Sequence, residues 1–198
     1  MKSSPSIHWF RQDLRLSDNP AFSAACAAGA VLPIYILDDD NAGPDRMGRA
    51  SRWWLHQSLG ALNLALGGKL RVFEGNPLEI ISTLTKANNA GLICWNRCYE
   101  PWRIARDTAL KAELEDSGIA VQSHNGSLLW EPWDIKKGDG TPYKVFTPYF
   151  RRGCLSAPSP RVPLPVPDKF EIWSGIDHLG DIRVDDLGLL SEEDWHQQ

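Results

Sequence analysis

"IHWFRQDLRLSDNPAF", residues 7–22, decides the fold. Its first four residues, Ile7 to Phe10, form an apolar run of strand length. The chain then turns through Arg11, Asp13, Arg15 and Asp18 before Asn19 and Pro20, an N-cap followed by proline at the first helical position. The small-residue run Ala21 to Ala28 stops at Gly29, which suits a helix C-terminus. A strand that leaves through a charged corner into a helix is the opening half of a β-α-β unit.

The same pattern repeats along the chain. Ala30 to Leu37, Leu70 to Phe73, Leu92 to Asn96 and Ala120 to Ser123 read as further strands. Between them lie helical patterns at 46–66, with Trp54, Leu55, Leu59, Leu62 and Leu66 at mostly three- and four-residue spacings, at Pro77 to Asn88, and at Trp102 to Ser117. Strand and helix in alternation predict an α/β fold: a doubly wound, Rossmann-like domain with a five-stranded parallel sheet and helices on both faces. The periodicity fails after about residue 125. Asp139-Gly140 reads as a turn, residues 143–153 as a short helix or a hairpin, and the five prolines between Pro158 and Pro167 as an extended linker. The acidic tail from Asp177 to Asp194 is expected to meet a partner surface outside this unit.

Composition narrows the function. A chain of 198 residues with 42% hydrophobic and 23% charged residues is an ordinary globular one, and a net charge of -4 argues against a general basic nucleic-acid binder. Cys26, Cys94, Cys98 and Cys154 form no CxxC pair and read as reduced thiols, and no apolar run reaches membrane-spanning length, so a cytoplasmic location and no membrane partner are expected. No GxGxxG follows the first strand, no P-loop occurs, and the five histidines lack metal-ligand spacing. Nine tryptophans suit the walls of a cleft or an interface as well as a core.

In an open doubly wound sheet the ligand crevice lies beyond the carboxyl ends of the strands where their order reverses, here beside the first and fourth. The charged corner falls at that position. Its residues also read as a self-contained junction whose charges pair with one another and cap the first helix.

"WFRQDLRLSDNPAF" resembles the N-terminal signature of the DNA photolyase and cryptochrome family. The likeness continues in order through "GRASRWWLHQSL", "LICWNRCYEPWRIARD", "GSLLWEPW" and "GTPYKVFTPYFR", over about residues 6–155. The resemblance implies a deoxyribodipyrimidine photolyase whose α/β antenna domain, residues 1–130, is followed by an interdomain linker, 131–198, leading to a helical C-terminal FAD domain. On that likeness the chain would harvest light, would lack repair activity alone, would be monomeric, and would meet UV-damaged DNA through the full-length protein. The implied antenna chromophore is methenyltetrahydrofolate, an 8-hydroxy-deazaflavin or FMN, since Trp102-Arg103 stands where folate-binding members carry Asn-Glu. By position its pocket comprises Phe10, Arg11, Leu37, Asp38, Arg49, Arg52 and Glu100. Arginines suit anionic tails, and Glu100 suits a pterin or pyrimidine ring edge. The same resemblance is compatible with a cryptochrome blue-light receptor, and the fold with a stand-alone nucleotide-binding module.

Overall fold

The structure is a computed structural model that describes residues 4–173 and 180–190. Five parallel strands, β1 (Ser6–Phe10), β2 (Val31–Leu37), β3 (Arg71–Glu74), β4 (Leu92–Asn96) and β5 (Ala120–His124), stand in the order β3-β2-β1-β4-β5. The chain winds outward from β1 to β3, crosses back to β4 and ends at β5. The order therefore reverses between β1 and β4, as the alternation of elements predicts.

Helices α1 (Pro20–Ala28) and α3 (Arg49–Ala65) bury Phe22, Ala25, Leu55, Leu59 and Leu62 against one face. Helices α4 (Pro77–Asn88) and α5 (Pro101–Asp116) bury Ile81, Leu84, Leu110 and Leu114 against the other. The central strands are covered on both faces, which is why β1 and β2 are buried at every residue. Asn19 caps α1 by accepting from the Phe22 N–H at 3.0 Å. His8 lies wholly inside, its ring edge-on to Phe10 at 4.2 Å, and burial lowers its pKa to about 4. A short helix, α2 (Asp39–Ala42), and a 3-10 turn at Gly43–Asp45 precede α3. Residues 46–48, predicted as the start of the long helix, instead form an irregular link from that turn to α3, with Gly48 at the N-cap position. Trp54, counted on the apolar stripe of α3, instead stands 67% exposed, one step off the buried Leu55 line.

Beyond β5 the 143–153 region is helical rather than a hairpin: a turn at Phe146–Pro148 runs into a π turn at Tyr149–Gly153. The proline-rich stretch is extended, and it touches the domain where the Asp18 N–H donates to the Leu164 carbonyl at 2.8 Å. The following segment corrects the expectation of a tail without a surface of its own. The Val31 N–H donates to the Glu171 carbonyl and the Trp173 N–H to the Val31 carbonyl, so Ile172 lies parallel beside the start of β2. Further on, Ile182 pairs antiparallel with Val72 on the outer edge of β3, Arg71 forms two bonds to Asp181, and Leu187 and Leu189 enter the α1/α3 core. An edge strand with free backbone groups and an apolar rim beside it is what this strap covers. The ends of the acidic run, Asp177 and Asp194, lie outside the described residues.

Candidate functional site

The corner after β1 is a buried polar junction. Asp13 accepts from the Arg11 N–H at 2.9 Å and from the Asn19 amide at 3.1 Å, and Asn96, at the end of β4, donates to both Asp13 and Asn19. The Asn96 side-chain oxygen accepts from the Ala21 N–H at 3.2 Å. A Cβ on Gly126 would stand 2.4 Å from the Asn96 side-chain carbon, so only glycine lets the loop after β5 close over this amide. The four charges do not simply pair with one another: Asp18 turns outward to Arg161, and Arg15 reaches the Gly126 carbonyl at 2.6 Å.

Arg11 crosses the switch point. Its guanidinium binds Asp107 of α5 and the Asn96 carbonyl, and lies 5.0 Å from the Trp9 ring and 5.8 Å from Trp95. Arg106, one turn into α5, binds Asp38 at 2.9 Å and Asp107 at 2.7 Å, over the rings of Trp9 and Trp102. Asp107 thus bridges two arginines against one indole. Such pairs are stable in a poorly solvated place because each charge keeps an opposite partner and a π face.

Above this layer opens a cleft of about 830 Å³, beyond the carboxyl ends of β1 and β2 and between the starts of α3 and α5. Trp9, Trp54 and Trp102 supply aromatic wall, and Tyr35, Met47 and Leu55 close it on the α3 side. Burial pushes the Tyr35 hydroxyl well above its usual range, so it stays protonated at the cleft wall. Three N–H groups of cleft-lining residues, Trp9 Nε1, Arg11 Nε and Arg103 Nε, are buried with no hydrogen-bond acceptor among the described residues; the Glu100 carboxylate stands 3.7 Å from the last. Buried donors without partners are costly and mark a place where acceptor atoms belong. No histidine or cysteine lines the cleft, and among the described residues no group of three metal-ligating side chains occurs. The arrangement suits holding a flat, polar, aromatic ligand.

Of the seven residues singled out by position, Arg11, Leu37 and Asp38 line the cleft. Phe10 points to the opposite face, into the α1/α3 core. Arg52 sits behind the wall, bonded to Asp39 and, at 3.1 Å, to the Met47 carbonyl; Arg49 lies on the exposed start of α3. Glu100 caps the rim, accepting from Gln12 at 2.7 Å; burial raises its pKa, but hydrogen bonds from backbone and Gln12 and the charge of Arg103 outweigh that and hold it low. The residues that sequence reasoning passed over are Trp9, Tyr35 and Arg106. Their signal was the strand alternation that sends Trp9 and Phe10 to opposite faces, and the four-residue step from Trp102 to Arg106.

A doubly wound, five-stranded parallel sheet with helices on both faces and a cleft at the ends of β1 and β2 defines the chain as a Rossmann-like α/β domain. The DNA photolyase family model matches residues 6–168, and the chain belongs to that family. A deoxyribodipyrimidine photo-lyase of Agrobacterium fabrum is 38% identical over 98% of this chain and 40% of its own length. Cryptochrome-2 of Arabidopsis thaliana is 37% identical over 94% of this chain and 31% of its own. The crystal structure of a bacterial class III photolyase from Agrobacterium tumefaciens superposes over the whole chain and 41% of its own, with a TM-score of 0.90 and 37% identity. The chain thus spans about two fifths or less of these relatives.

Proposed function

We propose that this chain is the light-harvesting, chromophore-binding part of a deoxyribodipyrimidine photolyase. The observation that carries the reading is the cleft: three indoles on its wall, and three buried N–H groups, Trp9 Nε1, Arg11 Nε and Arg103 Nε, without hydrogen-bond acceptors among the described residues. An antenna chromophore supplies absorption of near-ultraviolet or blue light and transfer of that excitation, which needs stacking and shape rather than proton transfer. Trp102, stacked on Arg103 and Arg106 at 4.8 and 5.2 Å, presents a ring whose orientation is fixed by cations on its face. Tyr35, Trp9 and Arg103 donate to ring or carboxylate acceptors, while Arg11 and Asp38 hold the floor through Asp107 and Arg106. Methenyltetrahydrofolate, 8-hydroxy-deazaflavin and FMN all bring a flat conjugated ring with acceptors; the folate and FMN add an anionic tail, the deazaflavin a polyol one.

In this reading residues 131–198 lead toward a helical FAD domain, repair of cyclobutane pyrimidine dimers belongs to the longer protein, and the chain alone repairs nothing. A second reading, a cryptochrome light sensor, is favoured by the similar identity to the plant relative. Light-dependent repair by the longer protein separates the two.

Titration of the purified chain with the three chromophores, followed by tryptophan quenching, tests the cleft. At least one is expected to bind, and Trp102→Ala to weaken it tenfold or more, about 1.4 kcal/mol. Absence of binding by all three, or equal binding by the variant, would overturn the assignment.

A further inference from the structure

The loop after β5 begins with Asn125-Gly126, the one asparagine of this chain that glycine follows. The pair meets two separate demands of the fold. Asn125 closes an Asx turn, its side-chain oxygen accepting from the Ser127 N–H at 3.2 Å and the Leu128 N–H at 2.9 Å. Gly126 is buried on the corner, at the place where a Cβ would collide with the Asn96 amide.

An Asx turn folds the side-chain amide back over its own peptide, which brings the Asn125 side-chain carbon toward the Gly126 nitrogen. That nitrogen is available: the Gly126 N–H is buried, yet donates to no acceptor among the described residues. The two N–H groups on the Asn125 oxygen polarise its carbonyl and point at the atom where negative charge develops when a nucleophile adds. The Arg15 guanidinium, on the Gly126 carbonyl at 2.6 Å, sets a positive charge near the nitrogen that must lose its proton. Asn125 is only half-buried and lines a groove of about 590 Å³ with His124 and Trp130, which gives water a way in.

The single Asp-Gly pair of the chain makes the contrast. Asp139 forms a similar turn, accepting from the Thr141 N–H at 2.9 Å and its hydroxyl at 2.6 Å, but the Gly140 N–H is tied to the Lys137 carbonyl at 2.9 Å. There the nucleophile is engaged, and the hydrogen bonds from Thr141 hold the Asp139 pKa low, so its carboxylate is ionised and a poor electrophile.

We propose that Asn125 is a self-modification site, at which the folded loop promotes deamidation through a succinimide. The Gly126 nitrogen gives its proton to solvent and bonds to the Asn125 side-chain carbon, and the side-chain amide takes a proton and leaves as ammonia. Water then opens the five-membered imide. Breaking the new bond leaves aspartate on a normal backbone; breaking the original peptide bond leaves isoaspartate, whose backbone is longer by one methylene. The sum is amide plus water to carboxylic acid plus ammonia, with nothing oxidised or reduced. The longer backbone lifts Gly126 off Asn96, and Asn96 joins Asp13, Asn19 and the Ala21 N–H, so the corner beneath the cleft loosens.

The test holds the purified chain at 37 °C and pH 7.4, folded or in 6 M guanidinium chloride. Mass spectrometry of the peptide spanning 125–126 follows the exchange of NH for O, and an isoaspartyl methyltransferase with labelled S-adenosylmethionine counts isoaspartate. In the folded chain Asn125 is expected to convert at least as fast as in denaturant and at least tenfold faster than Asn41 and Asn89. Asn125→Gln, whose ring would have six members, is expected to stay intact over the same period. The isoaspartyl form, separated by ion exchange, is expected to melt about 2 to 4 °C below the unmodified chain, whereas Asn125→Asp, which keeps the normal backbone and both turn bonds, melts with it. Slower conversion in the folded chain than in denaturant, less than a tenfold preference over Asn41 or Asn89, or an isoaspartyl form that melts with the unmodified chain would each overturn the proposal.

Discussion

Arg11→Ala is the substitution that best measures how the charged corner is used. In the folded chain the Arg11 side chain is 3% exposed and Asp107 13%, so removal of the guanidinium strands a largely desolvated carboxylate. Breaking a buried pair from one side costs about 3 to 5 kcal/mol. Asp107 keeps Arg106 at 2.7 Å, which moves the expectation to the lower end, and the lost contacts with two indoles add about 0.5 to 2 kcal/mol. The sum is about 3.5 to 5 kcal/mol. For a chain of this size each kcal/mol lowers the melting temperature by about 2 to 4 °C, so a fall of roughly 10 °C is expected in calorimetry or circular dichroism. A double-mutant cycle with Asp107→Ala isolates the pair, with a coupling energy of about 1.5 to 3 kcal/mol. A melting temperature within about 2 °C of wild type, or a coupling energy near zero, would refute the reasoning and return Arg11 to the solvent side of the cleft.

The strap supplies another expectation. Leu187 is 3% exposed in the α1/α3 core, whereas Leu190 is 49% exposed, so Leu187→Ala should cost about 2 to 4 kcal/mol in urea unfolding and Leu190→Ala less than about 0.5. Equal effects would mean that the strap is not part of the core. Acid should weaken the fold through His8. Its folded pKa, lowered by burial to about 4, lies below the unfolded value of 6.5, so between these values the unfolded chain binds the extra proton. The stability is present in full above pH 6.5 and is lost as pH falls toward 4, by up to roughly 3 kcal/mol. His8→Leu should flatten the difference in unfolding free energy between pH 7 and 4.5; an unchanged slope would show that His8 does not carry it.

The local periodicities of residues 5–125 are enough to place five strands and four main helices, because strands covered on both faces must be apolar throughout and helices with one buried face must repeat every three to four residues. Leu92–Asn96 and Pro77–Asn88 match their expected bounds to the residue. The order of strands follows from chain connectivity and handedness, and with it the position of the switch point. What depends on tertiary structure is which atoms meet there. Arg11 and Asp107 are 96 residues apart, and nothing local tells a guanidinium that will be buried from one that will meet a ligand. Arg52 and Arg106 are alike in sequence as helix arginines near tryptophans, yet one stands behind the wall and the other lines the cleft between two indoles. The strap was illegible for the same reason. Its short apolar pairs, Ile182 with Val184 and Leu187 with Leu189, have no period of their own and acquire meaning only when the edge of β3 and the rim of α3 are already in place to receive them.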